Sequence, residues 1–146
     1  MNLPELNTDG YLAPGIYLAS LDEVLQRFGT GTPARERRGN LLLLIVESAR
    51  KYPTIKRVLV WGSFVSTKPE PRDLDYSIVV DPRHHLATIE PADKPFFIPF
   101  DARIHYGADA RYLVLFEYPP EQFADDVPLF LCEDRNGRKH GILEVS

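Results

Sequence analysis

Asp73 and Asp75 stand two residues apart, a short loop downstream of a Gly-Ser pair, Gly62 and Ser63, in the segment VLVWGSFVSTKPEPRDLDYSIVV. In an extended strand alternate side chains point the same way, so both carboxylates project from one face toward one point. Two such carboxylates repel unless a cation lies between them. Mg²⁺ takes one or two carboxylates and completes its shell with phosphate oxygens and water. Gly62 has no side chain, so its backbone can approach a phosphate closely and take dihedrals closed to other residues. Ser63 adds a hydroxyl and an amide hydrogen at the start of a turn, a natural place for an anion. The chemistry this set can perform is two-metal transfer of a nucleotidyl group, with Mg²⁺ (or Mn²⁺) as cofactor and a nucleoside triphosphate as substrate. One metal ion holds the triphosphate, and the other activates an acceptor hydroxyl for in-line attack on the α-phosphorus. A Gly-Ser pair or an Asp-x-Asp alone is commonplace, and either is more often a solvated feature than a site. The weight lies in their order: strand, Gly-Ser, loop, then Asp-x-Asp.

The elements that must position these residues are legible around them. Arg57–Trp61, RVLVW, reads as a buried strand that delivers Gly62. GSFVSTKPEP reads as turn and loop, closed by two prolines. Residues 73–81, DLDYSIVVD, form the strongest strand signal, with Leu74, Tyr76, Ile78 and Val80 on one face and Asp73, Asp75 and Ser77 on the other. Upstream, Ser20 and Glu23 make a capping box for a short helix with Leu21, Val24, Leu25 and Phe28 on its apolar face, stopped at Gly29. Thr32 and Pro33 open a longer helix toward Tyr52, with Leu41, Leu42, Ile45, Ala49 and Tyr52 on a broad face. Gly39 and Asn40 weaken its middle enough to allow two shorter pieces. Residues 82–110 show no clear period. Residues 111–118, RYLVLFEY, read as a third strand, and the C-terminal stretch as a hairpin turning at Asn136-Gly137. This order predicts an α+β fold with a mixed sheet and helices on one side.

The same segment resembles the signature of the DNA polymerase β-type nucleotidyltransferase superfamily, in which a hydrophobic strand leads into G-S and then D-x-D. More closely, GSFVSTKPEPRDLDY is similar to a family of short, largely uncharacterised bacterial and phage-borne proteins sharing a GSFV–KPEP–D-x-D core. The close of the chain, DRNGRKHGILEVS, also looks like that family's DR-x-GR followed by GI-x-E. The resemblance implies a polymerase β palm-like mixed sheet flanked by helices, acting as a minimal nucleotidyltransferase on ATP or another triphosphate. It also implies a third carboxylate on a later strand. Asp109, just before RYLVLFEY, is the first choice; Asp101, on a strand through Ile98 to Ile104, and Glu117 are its rivals. With no room for an extra substrate-binding domain, the acceptor is expected to be a protein hydroxyl or an RNA end supplied by a partner. An antitoxin-like role, modifying a toxin, follows by analogy.

Other residues carry less. Lys68, Arg72, Arg103 and Arg111 lie near the motif segments and could neutralise a triphosphate, though each taken singly reads more readily as a solvated loop charge. Lys68 and Arg72, within the motif loop, are the expected nucleotide-binding cations beside Gly62 and Ser63. Trp61 and Phe64 read as core beside the strand. Arg35, Arg37 and Arg38 read as a solvated helix face. His84 and His85 are adjacent and point apart, and His105 and His140 have no partner pattern.

The composition fits one soluble domain over residues 1–146, with 1–19 as an extended lead-in. The 146 residues are 44% hydrophobic and 26% charged, with a net charge of −4 that gives no global pull toward nucleic acid. The single cysteine, Cys132, excludes an internal disulfide and suits a reducing cytoplasm. The longest apolar run, Leu41–Val46, is far too short to span a membrane, but it leaves a homodimer open. Two other readings stand beside the enzyme: a binding module of the same fold without turnover, and a structural subunit with an acidic, solvated edge.

Overall fold

Alternation along β3, Asp75–Val80, sets the architecture. Leu74, Tyr76, Ile78 and Val80 point into the main core, whereas Val79 joins Leu59, Trp61 and Ile142 on the other face of the sheet. The computed structural model describes residues 3–114 and 137–146, with the backbone alone for 111–114. Five strands make one sheet in the order β1-β5-β2-β3-β4. The others are β1 (Ile16–Ala19), β2 (Ile55–Trp61), β4 (Asp109–Val114) and β5 (Ile142–Val145). β2 runs antiparallel to β3 and β5, while the β3–β4 and β1–β5 pairs are parallel. The sheet is therefore mixed and the fold is α+β.

The helices are α1 (Leu21–Phe28), α2 (Pro33–Ala49), α3 (Lys94–Phe97) and α4 (Pro99–Tyr106). All four bury apolar residues against the face that carries Tyr76, Ile78 and Val80. Ser20 caps α1 by accepting from the Glu23 amide at 3.2 Å. The Glu23 carboxylate accepts from the Leu3 amide at 3.1 Å, so the lead-in takes the second half of the expected capping box. α2 is one continuous helix rather than two pieces. Gly39 survives mid-helix because a β-carbon there would lie 3.0 Å from the α-carbon of Gly29, so the glycine permits close packing that offsets its poor propensity. Of the apolar run, Leu41, Leu42, Ile45 and Val46 are buried in this chain's own core.

Three expectations need correction. The lead-in ends in a sheet strand, β1, which pairs with β5. Asp73 lies ahead of β3, which starts at Asp75. Residues 99–104 form helix, not strand: Ile98 is the N-cap, Pro99 opens α4 and Gly107, in the left-handed region at φ 63, closes it. Asp101 is therefore helical. The third strand begins earlier than expected, at Asp109, and its expected end at 115–118 lies outside the described residues. So does the first arm of the expected hairpin at Asn136-Gly137; the residues expected in its second arm form β5, which pairs with β1 and β2.

The C-terminal end of α2 is tied to the segment before α3 by a buried carboxylate. Asp93 accepts from Ser48 Oγ at 2.9 Å, Tyr52 Oη at 2.5 Å and Lys51 Nζ at 3.3 Å. Burial pushes its pKa up, but the hydrogen bonds from Tyr52, Ser48 and Lys51 outweigh this and hold it below the usual carboxylate range. Asp93→Ala is expected to cost about 2–3 kcal/mol in denaturant unfolding at neutral pH. A depressed folded pKa stabilises above the unfolded value of about 4 and ceases to do so as pH falls through the folded one. The gap between intact and variant protein should therefore narrow on acidification; a gap independent of pH between 7 and 3 would contradict this.

Candidate active site

Trp61 ends β2 opposite Asp75, the first residue of β3, so the turn after β2 falls beside the head of β3. Gly62 makes that turn at φ +79, where side chains strain the backbone. The chain continues as a single 3₁₀ turn, Gly62–Val65, pinned by buried Phe64 and Val65. A β-carbon on Gly62 would lie 2.1 Å from Oδ2 of Asp75. The Asp75 carboxylate thus rests against the bare α-carbon of Gly62, and the two halves of the motif are in contact.

Asp109 is the register partner of Asp75 on the parallel neighbour β4, and its amide donates to the Leu74 carbonyl at 3.1 Å. Register partners on adjacent strands share a face at a strand spacing of about 4.8 Å. Asp73 is half-buried two residues ahead of the strand. Asp75, on the middle of three strands, therefore stands between Gly62 at the end of β2 and Asp109 on β4, with Asp73 just upstream. Asp101 sits in the first turn of α4, eight residues before Asp109 and outside the sheet. Glu117 lies outside the described residues. Among the described residues, no three His, Cys, Asp or Glu side chains are grouped closely enough to hold an ion by themselves. A pair of carboxylates fits Mg²⁺, which fills the rest of its shell from phosphate and water.

The cations divide sharply. Arg103, on α4, brings its guanidinium within 4.0 Å of Asp109, an exposed and weak contact. Lys68 and Arg72 have exposed side chains on the loop between the two half-motifs. The side chain of Arg111 lies outside the described set. Trp61 and Phe64 are buried, as core residues should be. His84 bonds to Thr54 Oγ1 through Nδ1 at 2.8 Å, His85 is exposed, and His140 stacks on Tyr11 at 3.9 Å between ring centroids.

Arg35 overturns its reading as a solvated charge. It is only 7% exposed, and its guanidinium donates to the carbonyls of Phe28, Phe64, Ser66 and Lys68. Thr32 Oγ1 donates to the Pro69 carbonyl at 2.7 Å, and Arg38 Nη2 donates to that of Arg72. Thr32, Arg35 and Arg38 are three residues apart, so they line one face of α2 and grip the segment joining Gly-Ser to Asp-x-Asp. That spacing was visible in the sequence, but the partners were not. Arg37, off this face, is exposed as expected. On its other side the loop is held by the lead-in, where the Thr67 amide donates to the Gly10 carbonyl at 3.0 Å. Ser66 Oγ donates to the Ser63 carbonyl at 2.5 Å and accepts from the Lys68 amide at 3.1 Å.

Residues 4–146 match the model of DUF6932, a family of unknown function, and the chain belongs to that family. No curated protein matches it. A solved structure that is similar is that of a "putative nucleotidyltransferase" from Sulfolobus solfataricus. It is 23% identical over 61% of this chain and 78% of that one, with a TM-score of 0.31. Among the described residues, no helix is long and apolar enough to cross a membrane.

Proposed function

We propose that this chain is a minimal Mg²⁺-dependent nucleotidyltransferase that moves a nucleoside monophosphate from a triphosphate to a hydroxyl. The observation that carries this reading is the in-register pairing of Asp75 with Asp109, with the Asp75 carboxylate against Gly62. Asp75 and Asp109 would hold the metal, and Asp73 would have to turn toward them to join. When bound, the metal supplies a lowered pKa at the acceptor hydroxyl and compensation for charge on the departing pyrophosphate. The turn at Gly62 would bring the triphosphate to the backbone beside Asp75, and Ser63 would offer its hydroxyl there. Lys68 and Arg72, exposed on the same loop, can fold over the phosphates. The acceptor is a protein hydroxyl, as in an antitoxin-like modifier, or an RNA end. A second reading, a nucleotide- or partner-binding module without turnover, is favoured by the lack of a three-acid cluster among the described residues.

Two measurements separate these readings. Saturating triphosphate with Mg²⁺ or Mn²⁺ is expected to raise Tm by about 5 °C, and Asp73→Ala/Asp75→Ala should abolish the rise. Labelled triphosphates with candidate acceptors should show transfer by the intact protein alone. Stabilisation without transfer supports the binding module, whereas no stabilisation by any triphosphate rejects both the enzyme and a nucleotide-binding module.

A further inference from the structure

We propose that Arg35 is a positioning residue for the nucleotide loop, holding Gly62–Lys68 in place and laying an unneutralised positive charge beneath the phosphates. This rests on the nucleotidyltransferase reading. Arginine is the most expensive side chain to bury when no carboxylate accompanies it, because its charge persists. Here all four recorded acceptors of the guanidinium are backbone carbonyls, and among the described residues no acid pairs with it. Three of the four lie in the motif loop, at Phe64, Ser66 and Lys68. Burial lowers its pKa, but arginine remains a cation at neutral pH.

The planar fork explains why arginine occupies this position. Nη1 bridges Phe28 and Phe64 at 3.1 and 2.9 Å, while Nη2 bridges Ser66 and Lys68. One rigid group thus fixes alternate carbonyls of the loop, 64, 66 and 68, and ties them to the end of α1. Lysine has the charge but cannot span this set of acceptors, whereas glutamine keeps two donors without the charge. If stability of the fold were its sole purpose, an apolar side chain with the loop closed over it would suffice at lower desolvation cost. A charge left uncompensated under a loop that receives a polyanion acts through a short, poorly hydrated path, where it is weakly screened.

The two components separate in Arg35→Lys and Arg35→Gln. Hydrogen exchange of the 63–68 amides, measured without nucleotide, should accelerate at least about 10-fold in Arg35→Lys. Calorimetric titration should then use whichever Mg²⁺-bound triphosphate stabilises the intact protein most, alongside its monophosphate. Arg35→Lys is expected to raise the triphosphate Kd about 3-fold, and Arg35→Gln about 30-fold. The monophosphate Kd should rise less than about 3-fold in both, because fewer charges lie over the site. Asp93→Ala, destabilised at the far end of α2, serves as the control and should leave both Kd values unchanged. Equal weakening of monophosphate and triphosphate, or unchanged binding in Arg35→Gln, would overturn the electrostatic role. Unchanged exchange in Arg35→Lys would overturn the positioning role even if no nucleotide binds. Failure of the intact protein to bind any triphosphate instead removes the reading on which the inference stands.

Discussion

Gly62→Ala is expected to destabilise the fold by about 3 kcal/mol and to cut nucleotidyl transfer at least about 100-fold. Two costs combine at this residue. Its φ of +79 strains any side chain, and the added β-carbon would lie 2.1 Å from Oδ2 of Asp75. Something must move, and the nearest movable group is the carboxylate proposed to hold the metal. Gly107→Ala isolates the first cost, because that residue is also left-handed, at φ +63, but has open space around its missing β-carbon. It should lose only about 1 kcal/mol. In the double variant Gly62→Ala/Asp75→Ala the carboxylate is gone, so the two losses should sum to more than the measured total. Urea unfolding of the intact protein, Gly62→Ala, Asp75→Ala, their double variant and Gly107→Ala checks this, with additive losses or a Gly62→Ala cost no larger than that of Gly107→Ala as the contrary results.

Asp109→Asn should lower transfer at least about 10³-fold, while Asp101→Asn changes it less than about 2-fold. The substitution keeps the shape of the side chain and removes its charge, so a loss reports on the carboxylate itself. Register pairs Asp109 with Asp75, whereas Asp101 lies in helix α4, outside the sheet. Glu117→Gln is the third arm, since that residue lies outside the described set. The Arg103 guanidinium near Asp109 is too exposed at 4.0 Å to change this ranking. Transfer of label from each triphosphate, measured at equal folded protein, is the readout. A full loss in Asp101→Asn with Asp109→Asn still active would remove Asp109 from the site.

Local rules carried much of the architecture. Ser20, Thr32 and Pro33 announced the starts of α1 and α2, because capping depends only on a few neighbouring residues. The alternation from Leu74 to Val80 announced β3 and its buried face for a similar reason. Residues 94–106 were opaque, since α3 and α4 are short, prolines interrupt them, and neither shows two full periods of an apolar pattern. β1 was missed because a four-residue edge strand draws its stability from β5, which lies more than a hundred residues later.

The sequence by itself determined the order Gly62-Ser63, loop, Asp73-x-Asp75. Residue type and spacing are local properties, and they suffice to place two carboxylates near one strand head. Only the tertiary structure decided that Asp109 rather than Asp101 stands beside Asp75, because register between strands is a long-range pairing. It also turned Arg35 from an apparent surface charge into the buried clamp of the loop. A helix face shows which residues are aligned, but what that face meets depends on the packing of α2 against a loop some thirty residues away.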